Sequence, residues 1–278
     1  MLVKIVDNQK YKMVDELNHM IDASQQIKFA VAFAKKSGYL KIEDSLENFL
    51  SRKGKATILL GLDFHTTDPE TLREINNLSE AGYSIELFCY RGNLEGTATY
   101  HPKLYIFHHE VDSASFIIGS SNLTSGGLVN NIEANVEITS TIHEELFSDV
   151  NDIFYQMKVS NNRIIPNDQY IEKYAEVYTL LRKGKDFSKI KAFIELQDIE
   201  QDLPKPKIEK TELVGWMKLV YEYIPDGQFS TKDIYKYEKV FKEKYPENQN
   251  VKAKIRQQLQ FLRDFGLIKN PHRNVWIK

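Results

Sequence analysis

Between Tyr100 and Glu137 the chain reads YHPKLYIFHHEVDSASFIIGSSNLTSGGLVNNIEANVE, and this stretch holds the side chains best suited to phosphate chemistry. His101 and Lys103 stand two residues apart, followed by Gly119-Ser120-Ser121-Asn122 and then by Asn131 and Glu133. A strand projects residues i and i+2 from one face. His101 and Lys103 are therefore expected to point together at one ligand, with Pro102, Leu104 and Ile106 facing the other way. A titratable imidazole beside a fixed positive charge suits a phosphate.

The elements that must position these groups follow from apolar periodicity. Leu2–Val6 alternates like a short strand, and Met13, Leu17, Met20 and Ile21 lie at helical spacing within 11–24. QIKFAVAFA (26–34) reads as a buried strand, 41–51 as a helix, 56–62 as a strand, 68–81 as a helix stopping at Gly82, and 83–90 as a strand. Strands alternating with helices of this length imply an α/β domain, a mixed or parallel sheet covered by helices on both faces. His19 and His65 have no partner pattern and read as ordinary surface or core residues, and His108-His109 as the end of a strand. An amphipathic helix is expected over 143–159, a break over 161–168 and a charged helical bridge over 170–202, followed by the extended linker Leu203-Pro-Lys-Pro-Lys. This gives a first domain over 1–160, a bridge and linker over 161–207, and a small domain over 208–278.

Composition bounds the possibilities. The 278 residues are 42% hydrophobic and 27% charged, ordinary for a globular protein. No apolar run has the length of a membrane span, and MLVKIVDNQKYKMVDE lacks the apolar core of a signal peptide. The lone Cys89 excludes an internal disulfide, and no Cys/His spacing of the zinc type is present. These features lead us to expect a cytoplasmic protein that does not engage a membrane and holds no structural zinc. The net charge of −2 hides an asymmetry: 204–278 carries 16 Lys+Arg against 9 Asp+Glu, a local +7 that leaves −9 for the rest. A basic tail on an acidic body is the pattern expected when one end meets nucleic acid.

That tail has its own pattern. Leu213, Met217, Val220 and Ile224 mark a first helix, 231–245 a second capped by Ser230 or Thr231, and 251–265 a third with Val251, Ile255, Leu259 and Leu262 on its core stripe. Lys252, Arg256, Gln260 and Arg263 form the adjoining polar flank, with Gln257 opposite the stripe. Gly266 ends the helix, and LIKNPHRNVWIK fits two strands around a turn. Three helices and a hairpin give the winged-helix order. Lys252, Arg256, Gln257 and Gln260 become candidates to read double-stranded DNA, with Lys232, Lys269 and Arg273 on phosphates. The competing reading is a small protein-interaction domain with a solvated helix face.

The three ordered pieces His101-Pro-Lys103, Gly119-Ser-Ser-Asn122 and Asn131-Ile-Glu133 resemble the H-x-K, G-S-x-N and N-x-E motif of the phospholipase D superfamily, in the form found in its small nucleases. The eight residues between Asn122 and Asn131 match the family's spacing, whereas the aspartate common five positions after the lysine is His108 here. This departure weakens a phospholipase reading more than a nuclease reading. The run VKAKIRQQLQFLRDFGLI (251–268) resembles winged-helix domains at the ends of some bacterial restriction endonucleases, with Asn274-Val-Trp276 where those have a Gly-x-Tyr-like strand. Together the chain is similar to a phospholipase D-type restriction endonuclease with a winged-helix reader. Such an enzyme implies a restriction-modification setting in which a methyltransferase or ATPase partner has a place.

The groups suggest a mechanism. A neutral imidazole attacks phosphorus, and a second, protonated imidazole supplies the proton for the departing alkoxide. Lys103 and Asn122 would hold the non-bridging oxygens, Glu133 would accept from the far ring nitrogen of His101, and Ser120 is a secondary candidate for phosphate or orienting contact. Asn135 and Glu137 would share the face of Glu133 on a strand, so the carboxylate assignment could slip by four. The chain contains one H-x-K, so the second imidazole is expected from another copy across a two-fold axis, a homodimer. Lys103 and the imidazolium would then supply the charge that a metal otherwise provides. Against a DNA endonuclease stand a phosphodiesterase for phospholipids or other small esters and a non-catalytic DNA-binding regulator.

Overall fold

The computed structural model describes residues 1–91, 99–110, 112–160, 162–183 and 191–278. Val111 in the motif stretch, Asn161 at the expected break and 184–190 within the expected bridge lie outside the described residues. The chain divides into two compact units, one of Met1–Thr139 with Asn161–Pro206, the other of Ser140–Ser160 with Lys207–Lys278.

The first unit is built on strands β1 (Leu2–Val6), β2 (Ser24–Val31), β3 (Lys55–Gly61), β4 (Ile85–Tyr90), β5 (Lys103–His109), β6 (Ser113–Gly119), β7 (Asn135–Thr141) and β8 (Arg163–Ile164). They form one mixed sheet in the order β1-β7-β6-β5-β2-β3-β4-β8. β2, β3 and β4 run parallel, and β5 and β6 return antiparallel. Between the strands lie α1 (Met13–Asp22), α2 (Lys36–Tyr39), α3 (Glu43–Ser51) and α4 (Pro69–Glu80), the last stopped by Gly82 at φ +88°. The parallel strands need such crossovers, and the alternation of apolar stretches already indicated them.

Period-2 geometry sorts the central strands. Phe29, Val31, Tyr105, Phe107 and Ile117 share a core with Met13 and Leu17 of α1, Phe49 of α3 and Ile75 of α4. Leu104 and Ile106, on the opposite face of β5, are buried as well. β5 is thus apolar on both faces, and Lys103 is the polar exception at its start.

Two boundaries differ from the sequence expectation. The helices α6 (Asp168–Arg182) and α7 (Lys191–Asp202) occupy the stretch expected as a bridge, yet Tyr170, Ile171, Tyr174, Val177 and Leu196 belong to the core of the first unit. Four aromatic and aliphatic side chains on one face of α6 are a core stripe, which charge on the other face concealed. Conversely α5 (Glu145–Val159) groups with the second unit, where the main-chain N–H of Trp216 donates to Ser148 Oγ at 2.8 Å and Lys158 pairs with Glu212 at 2.6 Å. The break expected over 161–168 contains the short edge strand β8, in register with Tyr90 and Cys89 of β4.

The second unit continues with α8 (Gly215–Glu222), β9 (Gln228–Phe229), α9 (Thr231–Tyr235), α10 (Glu238–Lys244), α11 (Val251–Asp264), β10 (Lys269–His272) and β11 (Val275–Ile277). The expected second helix is two short ones, the first opened by a capping box in which Ser230 and Asp233 satisfy one another's backbone N–H groups. β9 joins the hairpin to give a three-stranded sheet in the order β10-β11-β9. Trp216 and Ile255, both fully buried, anchor its core. Among the described residues no helix is long and apolar enough to cross a membrane.

Candidate active site

The motif residues converge at one end of the large sheet, where β2 and β6 finish and β5 and β7 begin. His101 lies just ahead of β5 rather than within it, and is exposed. Lys103 is 92% covered, and its stem reaches back so that Nζ lies 2.7 Å from His101 Nδ1, 3.0 Å from Nε2 and 3.0 Å from the His101 carbonyl oxygen. One ring nitrogen at a time accepts from the ammonium, so the contact requires a neutral imidazole. Burial and the Lys103 charge together lower the His101 pKa from its ordinary value. Burial lowers that of Lys103 as well, opposed by the Glu133 carboxylate.

Asn122 is fixed by the segment that follows β2. Its Oδ1 accepts the main-chain N–H of Phe33 at 3.1 Å, and no acceptor among the described residues engages its Nδ2. The amide is therefore oriented with its donor free, as a phosphate ligand requires. Leu123 continues the pairing: its N–H donates to the Phe33 carbonyl at 3.1 Å and its carbonyl accepts from Lys35 at 2.9 Å. Gly38 makes this approach possible, because a Cβ there would stand 2.4 Å from the Leu123 carbonyl.

Asn135, 98% covered, is the pivot of the turn after β6. Its Oδ1 accepts from both Ser120 and Ser121 N–H at 3.0 Å, while Nδ2 donates to the Val6 carbonyl at 3.1 Å and to Ser121 Oγ at 2.9 Å. Gly119 must lack a side chain, since a Cβ would fall 2.4 Å from the Ala134 carbonyl oxygen.

Glu133 departs from the expected role. It accepts from the Ser120 hydroxyl and from Asn131 Nδ2 at 3.2 Å, not from the His101 ring. The Asn131-Ile132-Glu133 loop is short and tied to the Ser120 turn, where Ala134 N–H also donates to Ser120 Oγ at 2.9 Å. The serine is thus engaged twice, as donor to Glu133 and acceptor from Ala134. Glu137 lies elsewhere, buried beside Lys4 and Glu16, so the four-residue slip does not arise.

No sequence motif marks Phe33. Its ring meets His101 edge-on with centroids 5.4 Å apart and lies 5.8 Å from Lys103 Nζ. It sits 68 positions before His101 with no motif around it, so only tertiary structure reveals it. Of the other histidines, His65 is stacked on Tyr174 at 5.6 Å with its pKa lowered to about 4 by burial, and His109 contacts Ser115 Oγ at 3.0 Å. Among the described residues no cluster of His, Cys, Asp or Glu has the form of a metal site.

Residues 17–158, just over half of the sequence, match the family described as "Cardiolipin synthase, PLD-like domain". The chain belongs to the PLD-like family. Residues 210–278 match a second family, described as "Dam-replacing HTH domain". No curated protein matches the chain. Among solved structures, NucT from Helicobacter pylori is 16% identical with a TM-score of 0.44, covering 56% of this chain and 94% of its own. Nuc from Salmonella typhimurium, a phospholipase D family member, gives 16% and 0.44 over 56% and 93%. The phosphatidylserine synthase of Haemophilus influenzae Rd KW20 gives 13% and 0.47 over 71% and 47%.

The HTH unit presents its candidate residues in two groups. Lys252, Arg256, Gln260 and Arg263 are exposed along α11, Lys232 at the start of α9, and Lys269 and Arg273 on the hairpin. Lys252 pairs with Glu238 at 3.1 Å, and Arg256 donates to the Tyr235 hydroxyl at 2.7 Å. Gln257 stands apart: it lines a groove of about 540 Å³ together with Glu145, Asp149 and Asp152 of α5. Lys254 faces the same acids and pairs with Asp149. Carboxylates there would repel a phosphate backbone, which separates Gln257 from the basic flank.

Proposed function

We propose that this chain is a metal-independent DNA endonuclease of the restriction or defence type, whose active site is completed by a second copy and whose HTH unit selects the site. The observation that carries the reading is the Lys103 ammonium held against a neutral His101 ring, with Phe33 packed on both and Asn122 fixed on the Phe33 main chain. His101 attacks phosphorus, forming a P–N bond as the P–O bond to the leaving strand breaks. The alkoxide takes its proton from the imidazolium of the second copy. Water then attacks the phosphohistidine, giving its proton to that now neutral imidazole, and His101 is released. Lys103 and Asn122 stabilise the charge on the non-bridging oxygens, the term expected to dominate.

The basic flank of α11 and the match to an HTH family favour DNA over a phospholipid or another small ester. Retention of His101, Lys103, Asn122 and Glu133 in one cluster favours catalysis over a purely regulatory role. Plasmid incubated with excess chelator tests this. Discrete fragments are expected, and His101→Ala should bind DNA without cutting it. Cutting that appears only when magnesium is added, or that persists in His101→Ala, contradicts the mechanism. Binding without cutting by the unaltered chain supports the regulator instead.

A further inference from the structure

His101 is held from behind by a buried group of side chains that the phosphate chemistry does not use. The main-chain N–H of Tyr100 donates to Asp63 Oδ2 at 2.9 Å. The Tyr100 ring stacks on Tyr90 with centroids 4.7 Å apart and planes 20° from parallel. The Arg163 guanidinium lies 3.7 Å from the Tyr90 centroid and 4.7 Å from that of Tyr100. Asp63 is 92% covered and Arg163 98%.

This arrangement is costly as plain core. Arg163 Nε and Nη1 and Asp63 Oδ1 are buried without a hydrogen-bond partner among the described residues. An apolar side chain of similar size would fill the same space without leaving a guanidinium short of acceptors. Cation–π attraction to the two tyrosines offsets part of that cost. What the charge and the carboxylate achieve in return is control of Tyr100, the residue before His101. The other neighbour is also fixed, since the Pro102 carbonyl accepts from Ala32 N–H at 2.9 Å. Gly61 lets both anchors close, as a Cβ there would lie 2.5 Å from the Ala32 carbonyl and 2.8 Å from the Tyr100 ring.

We propose that Asp63 and Arg163 are positioning residues for His101, acting through Tyr100: the carboxylate fixes the Tyr100 main chain and the guanidinium clamps its ring, so that the exposed imidazole keeps its place against Lys103. The catalytic part of this proposal rests on the nuclease reading above. Because His101 is exposed, its geometry depends on the backbone on either side. A displacement on the order of 1 Å at a reacting group costs about 100-fold in rate, so loosening Tyr100 is felt in kcat.

The test uses the full chain with Asp63→Ala, Asp63→Asn and Arg163→Met. Amide exchange at Tyr100 and His101 is followed by NMR without substrate, and kcat and KM are measured on an oligonucleotide duplex in chelator. Asp63→Ala should speed Tyr100 amide exchange by about tenfold or more and lower kcat by about tenfold to 100-fold with KM unchanged. Asparagine keeps an acceptor for the Tyr100 N–H, so Asp63→Asn should stay within about threefold of wild type in both measurements. Arg163→Met keeps the packing volume and discards the charge, and should lower kcat while the far-ultraviolet spectrum is unchanged. The proposal is overturned if Asp63→Ala or Arg163→Met loses only thermal stability, with kcat at the wild-type level. Should Asp63→Ala not fold, the Arg163→Met result decides by the same criterion. If the unaltered chain cuts no DNA, the nuclease reading fails, and Tyr100 exchange still decides whether the clamp exists.

Discussion

Replacing Asp152 by asparagine is expected to stabilise the second unit at alkaline pH. The carboxylate is 95% covered on α5 against α11. Its Oδ2 accepts from Gln258 Nε2 at 2.7 Å, while Oδ1 is buried without a partner among the described residues. Lys254 Nζ stands 3.8 Å away but closer to Asp149, so its attraction does not compensate burial, and the Asp152 pKa is pushed up to about 7 from 3.8. Between about pH 4 and 7 the folded unit keeps the proton and the unfolded chain releases it, so stability falls as pH rises through that window and is flat above it. A difference of about three pH units corresponds to about 4 kcal/mol at most. Asparagine removes that penalty together with the Lys254 attraction and keeps an acceptor for Gln258, leaving a net gain of about 1–3 kcal/mol at pH 8. Both tryptophans of the chain, Trp216 and Trp276, lie in this unit, so their fluorescence during urea unfolding reports on it alone. The gain should shrink by about 2 kcal/mol at pH 5. A variant less stable than wild type at pH 8, or a wild-type midpoint independent of pH between 5 and 8, would refute the reasoning.

Three further outcomes follow from the geometry. Gly38→Ala should cost about 1–3 kcal/mol and impair cutting, because its methyl group displaces Leu123 beside Asn122; a rate equal to wild type would show that the Asn122 position is not critical. Arg256→Ala should weaken specific DNA binding by about 1–3 kcal/mol and Gln257→Ala by much less, since Gln257 faces the α5 carboxylates; equal losses in a binding titration would reject that distinction. Cutting should be fastest below about pH 7, because one imidazole must be neutral and one protonated while burial and Lys103 lower the His101 pKa. An optimum on the alkaline side of pH 8 would assign the limiting proton to another group.

Strand periodicity made the core of the site legible, because the backbone alone decides that Lys103 turns inward while Leu104 and Ile106 face away. It could not reveal that His101 precedes the strand, or that the lysine folds back over the ring. The Ser120–Glu133 pair was hidden because a loop, not a strand, sets the direction of Glu133. Phe33, Asp63 and Arg163 come from three other elements, and nothing in local sequence ties them to His101. Periodicity also marks the apolar face of a helix without naming what it packs on. Hence α5, which the PLD-like family match spans, clusters in contacts with the second unit, and the tyrosines of α6, in the stretch expected as a bridge, lie in the core of the first.

The claim that most needs testing is that one His101–Lys103 cluster per chain works only in pairs. Wild type and His101→Ala can be co-expressed in equal amounts and the DNA cutting rate compared with that of wild type at the same total concentration. If two copies form each site, random pairing leaves about one quarter of the sites intact, and the rate should fall to about one quarter. A rate of about one half, the value for chains that act singly, would contradict the account.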